Sequence, residues 1–277
     1  MVFARIYPPH PILAGLIKGY QIMHGQTPAD RPLPVLPFPP HAVQQLVFYG
    51  RDPTGRLHYR TGQSSTQPNC ILVGPQVSRV DTTVGRDMLI VVTFFEPGGL
   101  HRLLGIPMDE LFDDSLDASL IWHQEIRQVE QKLRETNDYD CMQQLVEAFL
   151  LARLRQKQVE KHPIDRAFRL MEDPDSPLSL DYLADQACLS PRQFERKCQE
   201  RLGLGPTTFR RIVRFSKAYR LKEHRPDLTW LDVALLSGYY DMQHLRRDFK
   251  EFAASTPTLL LQAETRTSLR GYCSHDF

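Results

Sequence analysis

The sequence predicts an α+β protein. Its N-terminal part reads as a small β-barrel or sandwich-like domain with helices, and its C-terminal part as an all-α domain of two repeated helical units joined by a linker helix. Three observations carry this. Short β-branched and aromatic runs separated by turn residues fill the first 118 positions. From about Leu120 the apolar spacing changes to the helical period. After His162 one helical pattern occurs twice, about 50 residues apart.

Length and composition fit two domains of ordinary size. The chain has 277 residues, and its hydrophobic fraction of 42% is enough for real cores. Its longest near-continuous apolar run, Met88 to Phe95, is strand length and far short of the ~18–20 residues of a membrane span. The N-terminus lacks the apolar core of a secretory signal, so the expected location is the cytoplasm, with no membrane partner. Five cysteines (Cys70, Cys141, Cys188, Cys198 and Cys273) form no C-x-x-C pair. They read as small buried hydrophobes and one tail residue, with no disulfide framework or structural zinc.

In the first part, strands are predicted near Val43–Tyr49, Leu57–Thr61, Cys70–Val73 and Met88–Phe95. Six prolines between Pro28 and Pro40 predict an extended loop there, because proline donates no ladder hydrogen bond. A PxxP ligand for another protein is the rarer alternative. Leu120, Ile121, Ile126, Val129 and Leu133 suit one amphipathic helix, and Met142, Leu145, Val146, Phe149, Leu150 and Leu154 a second. These helices either pack on the β-rich part or pair with a second subunit. Lys161-His162-Pro163 marks the boundary that follows, since the residue before proline disfavours helix. The predicted division is therefore 1–118, a β-rich sensing or dimerisation domain; 119–162, a helical connector with potential dimer helices; 163–263, the repeated helical domain; and 264–277, a tail.

The C-terminal part opens on a stripe of Ile164, Ala167, Phe168 and Met171, which stops before Asp173-Pro174-Asp175. Leu180, Leu183, Ala184 and Ala187 then line one face of a short helix. Ser190 reads as an N-cap, Pro191 as the first helical residue and Gln193 as the capping-box partner. Two short helices joined by a tight turn are a helix-turn-helix candidate. The second copy puts Val233-Ala234 where the first has Leu183-Ala184, and Gly238 at its turn. Leu245, Arg247 and Phe249 match Phe194, Arg196 and Cys198. Between the copies, Phe209, Ile212, Phe215, Ala218, Tyr219 and Leu221 cover a wide arc of one helix, which predicts burial between two bodies. Arg210, Arg214 and Lys217 remain as a narrow basic stripe.

Charge follows the same division. The whole chain carries +1, with 34 basic and 33 acidic residues, which excludes a bulk polycation that coats nucleic acid indiscriminately. Residues 1–160 carry −2 and residues 161–277 carry +3. Within Ser190 to Arg225 there are 11 basic residues against 3 acidic ones, a local excess of +8. One concentrated patch on a neutral protein is either a solvated helical face or the footprint of nucleic-acid binding.

This constellation resembles the C-terminal DNA-binding domain of the AraC/XylS family of bacterial transcription regulators. The resemblance covers about Ile164 to Gln262. It rests on Leu183-Ala184, Ser190, Phe194, Arg196, the Gly203-x-x-Pro206 turn, Arg214 and Ala218. In the second copy it rests on Val233-Ala234, Ser237-Gly238-Tyr239, Asp241, His244-Leu245, Arg247, Phe249-Lys250 and Pro257. Two positions depart from the pattern: Ala254 stands where the second turn usually has glycine, and Cys198 where the family tends to have an aromatic. Phe94 to Gly99 and Leu104 to Pro107 resemble an N-terminal domain of unknown function found in some of these regulators.

In a helix-turn-helix the N-terminal part of the second helix enters the major groove, where each base pair shows a distinct donor and acceptor pattern. The expected base contacts are Arg192, Glu195 and Arg196 in the first unit, and Met242, Gln243, Arg246 and Arg247 in the second. Lys197, Arg210, Arg211, Arg214 and Lys217 are expected on phosphates. The resemblance implies duplex DNA and RNA polymerase as partners, and admits a homodimer and a small-molecule effector of unknown identity on the N-terminal domain. No catalytic residue, cofactor or metal site is predicted. His41, His58 and His101 form no metal-binding array, although a barrel could bring them together. The rival reading is a DNA-repair alkyltransferase with a reactive cysteine in the N-terminal half, for which Cys70 is the candidate.

Overall fold

The apolar run Met88–Phe95 sits at the centre of the N-terminal half. In the computed structural model, which describes residues 2–59, 61–157, 162–173 and 178–260, this run is most of strand β9 (Asp87–Phe95). Leu89, Val91 and Phe95 point into one core, and Met88, Ile90, Val92 and Phe94 into another. A strand buried on both faces needs no polar alternation, and this accounts for the unbroken run.

β9 lies inside a six-stranded antiparallel sheet with β1 (Val2–Tyr7), β2 (Ile17–Gln26), β4 (Gln45–Tyr49), β7 (Cys70–Val73) and β10 (Ser115–Asp117), in the order β1-β2-β9-β4-β7-β10. A four-stranded sheet of β3 (Val35–Phe38), β8 (Val80–Thr83), β5 (Gly55–His58) and β6 (Ser64–Thr66) forms separately, in the order β3-β8-β5-β6. The ladders do not join the two sheets, so the arrangement is sandwich-like and not a closed barrel. β3 lies within the proline run expected to be a loop. It is an edge strand, paired only with β8, so Pro37 removes no ladder bond that a central strand would require.

On the outer face of the six-stranded sheet, α1 (Gly99–Leu104), α2 (Ser119–Glu135) and α3 (Tyr139–Arg155) complete the core. Trp122, Ile126, Val129 and Leu133 of α2 and Met142, Val146 and Phe149 of α3 share it with Tyr20, Ile22, Leu46 and Val91. The two predicted amphipathic helices thus turn most of their stripes inward within this chain, but Leu120, expected on the first stripe, is 63% exposed because it sits in the first turn of α2 outside the core. None of the described helices is long and apolar enough to cross a membrane.

The C-terminal half is helical: α4 (Ile164–Met171), α5 (Leu180–Gln186), α6 (Pro191–Leu202), α7 (Pro206–His224), α8 (Trp230–Leu236) and α9 (Met242–Ala253). One continuous core holds Phe168, Phe194, Phe209, Phe215, Leu245 and Phe249, so α7 is packed between both repeated units as its wide apolar arc requires. Lys161, the Pro174-Asp175 stop and the tail 264–277 with Cys273 lie outside the described residues.

The halves meet along α6. Gln44 donates from Nε2 to the carbonyls of Arg201 (3.3 Å) and Leu202 (3.4 Å) at the C-terminal end of that helix. Asp165 lies between Arg102 at 3.4 Å and Arg201 at 3.8 Å, and Lys18 pairs with Glu172. Gly203 caps α6 with φ +74°, and a Cβ there would come within 2.6 Å of the Met108 carbonyl oxygen. Both the conformation and the close approach demand glycine.

Candidate nucleic-acid interface

α6 and α9 are each started by a side-chain cap. Ser190 accepts from the backbone N–H of Gln193, and the Gln193 side chain accepts in return from the Ser190 N–H at 3.1 Å. This is the predicted capping box, with Pro191 at the first helical position. Asp241 caps α9 by accepting from His244 N at 2.8 Å. The turns that set α6 and α9 against their leading helices use the left-handed region: Cys188 has φ +56° in the first unit and Gly238 φ +77° in the second.

With Phe194, Cys198 and Leu202 buried, α6 turns Arg192, Glu195 and Arg196 to solvent on its N-terminal half. With Leu245, Phe249 and Phe252 buried, α9 exposes Gln243, Arg246 and Arg247, while Met242 is half-buried. An i, i+3, i+4 set of this kind can meet successive base edges together. Arginine can fork onto guanine and glutamine onto adenine.

The five residues expected on phosphates occupy unequal settings. Lys197 donates to both carboxylate oxygens of Glu200, at 2.8 and 2.9 Å. Arg210 donates to the Leu178 carbonyl at 2.7 Å, and burial followed by the neighbouring Arg214 charge holds its pKa below the ordinary value. Arg211 is held by two carboxylates, Asp248 at 2.7 Å and Glu251 at 2.6 Å, which raise its pKa further. Arg214 stacks over the Tyr239 ring at 5.1 Å, and its buried Nε has no acceptor among the described residues. Lys217 is half-buried on the same helix.

Sequence reasoning missed the carboxylate wall of Asp248 and Glu251, which captures Arg211 and, through Asp248, the Tyr239 hydroxyl at 3.0 Å. It also missed Tyr240, which is 89% exposed. The Tyr239-Tyr240 pair held the signal: once the first ring faces the core, the second must face away.

The residues weighed for other chemistry are dispersed. Cys70 is fully buried on β7, and burial pushes its thiol well above the ordinary value, so it is neither a ready thiolate nor accessible to a duplex. His41 faces Gln76, His58 faces Asp113 at 3.4 Å, and His101 hydrogen-bonds the Ile106 carbonyl at 2.8 Å. Among the described residues no three His, Cys, Asp or Glu side chains are placed to hold a metal ion.

Two concavities lie in or beside the N-terminal half. One, of about 60 Å³, lies between the two sheets beside Phe38, Tyr49 and Ile71. The other, of about 270 Å³, opens between the halves, with Phe95, His41 and Gln44 on one side and Phe209, Val213 and Tyr219 of α7 on the other.

Residues 183–263 match a family described as helix-turn-helix domain, and residues 5–117 match a domain of unknown function, DUF6597. No curated protein matches the chain. Among solved structures, ToxT from Vibrio cholerae O395 aligns over 95% of this chain and 97% of its own, with a TM-score of 0.47 and 12% identity. The DNA-binding domain of AdpA, solved in complex with a target DNA, aligns over 38% of this chain and 96% of its own, with a TM-score of 0.35 and 24% identity. A transcriptional regulator from Chromobacterium violaceum described as AraC-type aligns over 39% of this chain and 95% of its own, with a TM-score of 0.34 and 24% identity. Residues 183–263 are thus a helix-turn-helix domain, carried behind a DUF6597 domain over residues 5–117.

Proposed function

We propose that the chain reads an operator through two adjacent major grooves, α6 in one and α9 in the next. The observation that carries this is the repetition of one exposed set on two capped helices sharing a single core. α7, packed against both, fixes their separation, and units reading one face of B-DNA are spaced by about one helical turn, ~34 Å. Arg192, Glu195 and Arg196 are the proposed base contacts of the first unit, and Met242, Gln243, Arg246 and Arg247 those of the second. Lys197, Arg210, Arg214 and Lys217 are assigned to phosphates; Arg211 joins them only by leaving Asp248 and Glu251. The same reading puts the protein in the cytoplasm with DNA, and makes RNA polymerase and a second copy of the chain its expected partners.

Selection of duplexes from a random pool, followed by binding measurements, tests this. Arg196→Ala is expected to cost roughly 1–3 kcal/mol on the selected duplex and to relax preference at one position. Equal loss on selected and mixed-sequence DNA would reassign Arg196 to phosphate, and enrichment of no sequence by the wild type would overturn the reading.

A second element of the proposal is control by a small molecule, favoured by the cavity of about 270 Å³ between the halves. Its walls are largely apolar, and the Tyr219 hydroxyl and Gln44 Oε1 on them are buried with no hydrogen-bond partner among the described residues. A ligand regulates only if it binds two states unequally, and one touching both halves meets that condition whenever their docking changes. The gap between the sheets, at about 60 Å³, leaves little room for such a molecule inside the N-terminal domain. A metabolite screen by thermal shift on the full chain is expected to find a stabilising compound whose effect disappears in Val213→Trp. An effect that survives this substitution would place the ligand elsewhere.

A further inference from the structure

The surface between α7 and α9 contains a depression of about 460 Å³ lined by three arginines, two carboxylates, two tyrosines and a histidine. Arg211 is bound by Asp248 and Glu251, so that charge is already matched. Arg214, Arg247, His244 and Tyr240 line the same depression. Arg214 has no carboxylate partner among the described residues, and its Nε is buried without an acceptor. Arg247 is exposed. Counting all three arginines against Asp248 and Glu251, the depression keeps a net positive charge.

Tyr240 lines this depression as well. The residue is 89% exposed, and its ring meets the edge of His244 with centroids 6.4 Å apart. His244 is itself held by Asp241 at 2.9 Å, which fixes the rim at the first turn of α9. Tyr239 faces inward and gives its hydroxyl to Asp248, so the backbone that turns Tyr239 into the core presents Tyr240 to solvent. An aromatic ring left in water gains nothing for folding. In a depression that also holds the Arg214 guanidinium it has the two properties a phosphodiester contact uses: a flat apolar face for the deoxyribose and a hydroxyl donor for a phosphate oxygen.

We propose that the depression between α7 and α9 seats one phosphodiester of the DNA backbone, with Arg214 as the anion-binding group on its floor and Tyr240 packed on the adjoining deoxyribose. The inference rests on the DNA-reading function proposed above and adds Tyr240 to it as a backbone contact. A contact to the backbone fixes register on the duplex but carries no base preference. Tyr240 therefore acts equally on any sequence, unlike Arg246 or Arg247.

The test uses the full chain with two labelled duplexes of equal length, one enriched by the wild type from a random pool and one of mixed sequence. Tyr240→Ala is expected to weaken both by about fivefold, the effect of losing one buried aromatic contact. Its thermal melting temperature should be unchanged, because a residue 89% exposed contributes little packing to the free protein. The slope of log K against log salt should also be unchanged, since no charge is lost. Arg214→Gln is expected to weaken both duplexes and to reduce that slope by about one. Tyr240→Ala binding both duplexes within twofold of the wild type would overturn the seat. So would a loss confined to the enriched duplex, which would make Tyr240 a base-reading residue. If the wild type enriches no duplex, the DNA-reading assignment itself falls, and the seat with it.

Discussion

Two non-glycine residues in the repeated units adopt a conformation that glycine adopts more cheaply. Ala254 ends α9 with φ +48° at the position where Gly203 ends α6 with φ +74°, and Cys188 takes φ +56° where Gly238 takes +77°. A left-handed residue with a Cβ costs roughly 1–2 kcal/mol relative to glycine. Part of that is returned because glycine loses more freedom on folding. Ala254→Gly is therefore expected to stabilise the chain by about 1 kcal/mol, read as a rise in the denaturant midpoint at constant m-value. A fall in the midpoint would mean that the Ala254 methyl contributes more by packing than it costs in backbone strain. The glycine missing from the family pattern at this place is thus visible in the sequence as a structural departure, and its φ gives the physical content.

At the scale of the element, the second reading helix is held by a polar anchor as well as by its apolar face. Asp248 is 4% exposed and accepts from Arg211 on α7 and from the Tyr239 hydroxyl in the preceding turn. Burial first, and then the Asp248 charge, pushes the Tyr239 hydroxyl above its ordinary value, so it remains a donor throughout the working range. Asp248→Ala leaves a buried hydroxyl without an acceptor and is expected to cost about 2–3 kcal/mol in chemical denaturation. Asp248→Asn keeps an acceptor for Tyr239 and should cost less. If both variants lose the same amount, the charge on Asp248 matters more than the acceptor. The helices of the two units were legible from capping residues and apolar spacing, because both signals are local. The Arg211 ion pairs were not, because Asp248 and Glu251 lie some 40 residues away in sequence and only the packing of α7 on α9 brings them together.

For the molecule as a whole, acid is the condition that tests the junction. Burial holds His41, His101 and His162 below the ordinary histidine value of 6.5, and the Arg201 charge adds to this at the last two. His41 is the most displaced, down to about 4. A histidine with a depressed folded pKa binds fewer protons than the unfolded chain. Its contribution is therefore complete above pH 6.5 and is lost as pH falls from there toward the folded value. For His41 a shift of that size corresponds to on the order of 3 kcal/mol by pH 4. Glu172 works in the opposite direction, since burial raises its carboxyl and acid relieves that penalty. Unfolding midpoints are expected to hold between pH 7 and 8 and to decline below 6.5, with part of the decline absent in His41→Gln. An identical acid profile for the two proteins would remove His41 from the account.

Local information was enough for much of this protein. The two repeated units, their caps, the buried linker helix, the exposed arginines at matching positions and the segregated charge are all set by neighbours within a few turns, and each is legible in order along the chain. The β-rich half was legible in composition but only partly in detail. β1, β2, β6, β8 and β10 depend on partners far away in sequence, and β3 forms across prolines because it found an edge. Tertiary structure alone decided the sandwich over the barrel, because closure depends on which strands meet and not on what each one is. It alone placed α2 and α3 on the sheet, since an apolar stripe specifies burial without naming the surface that supplies it. And it alone sorted the basic residues of the interface: a sequence counts charges, while packing determines which of them a carboxylate has already met.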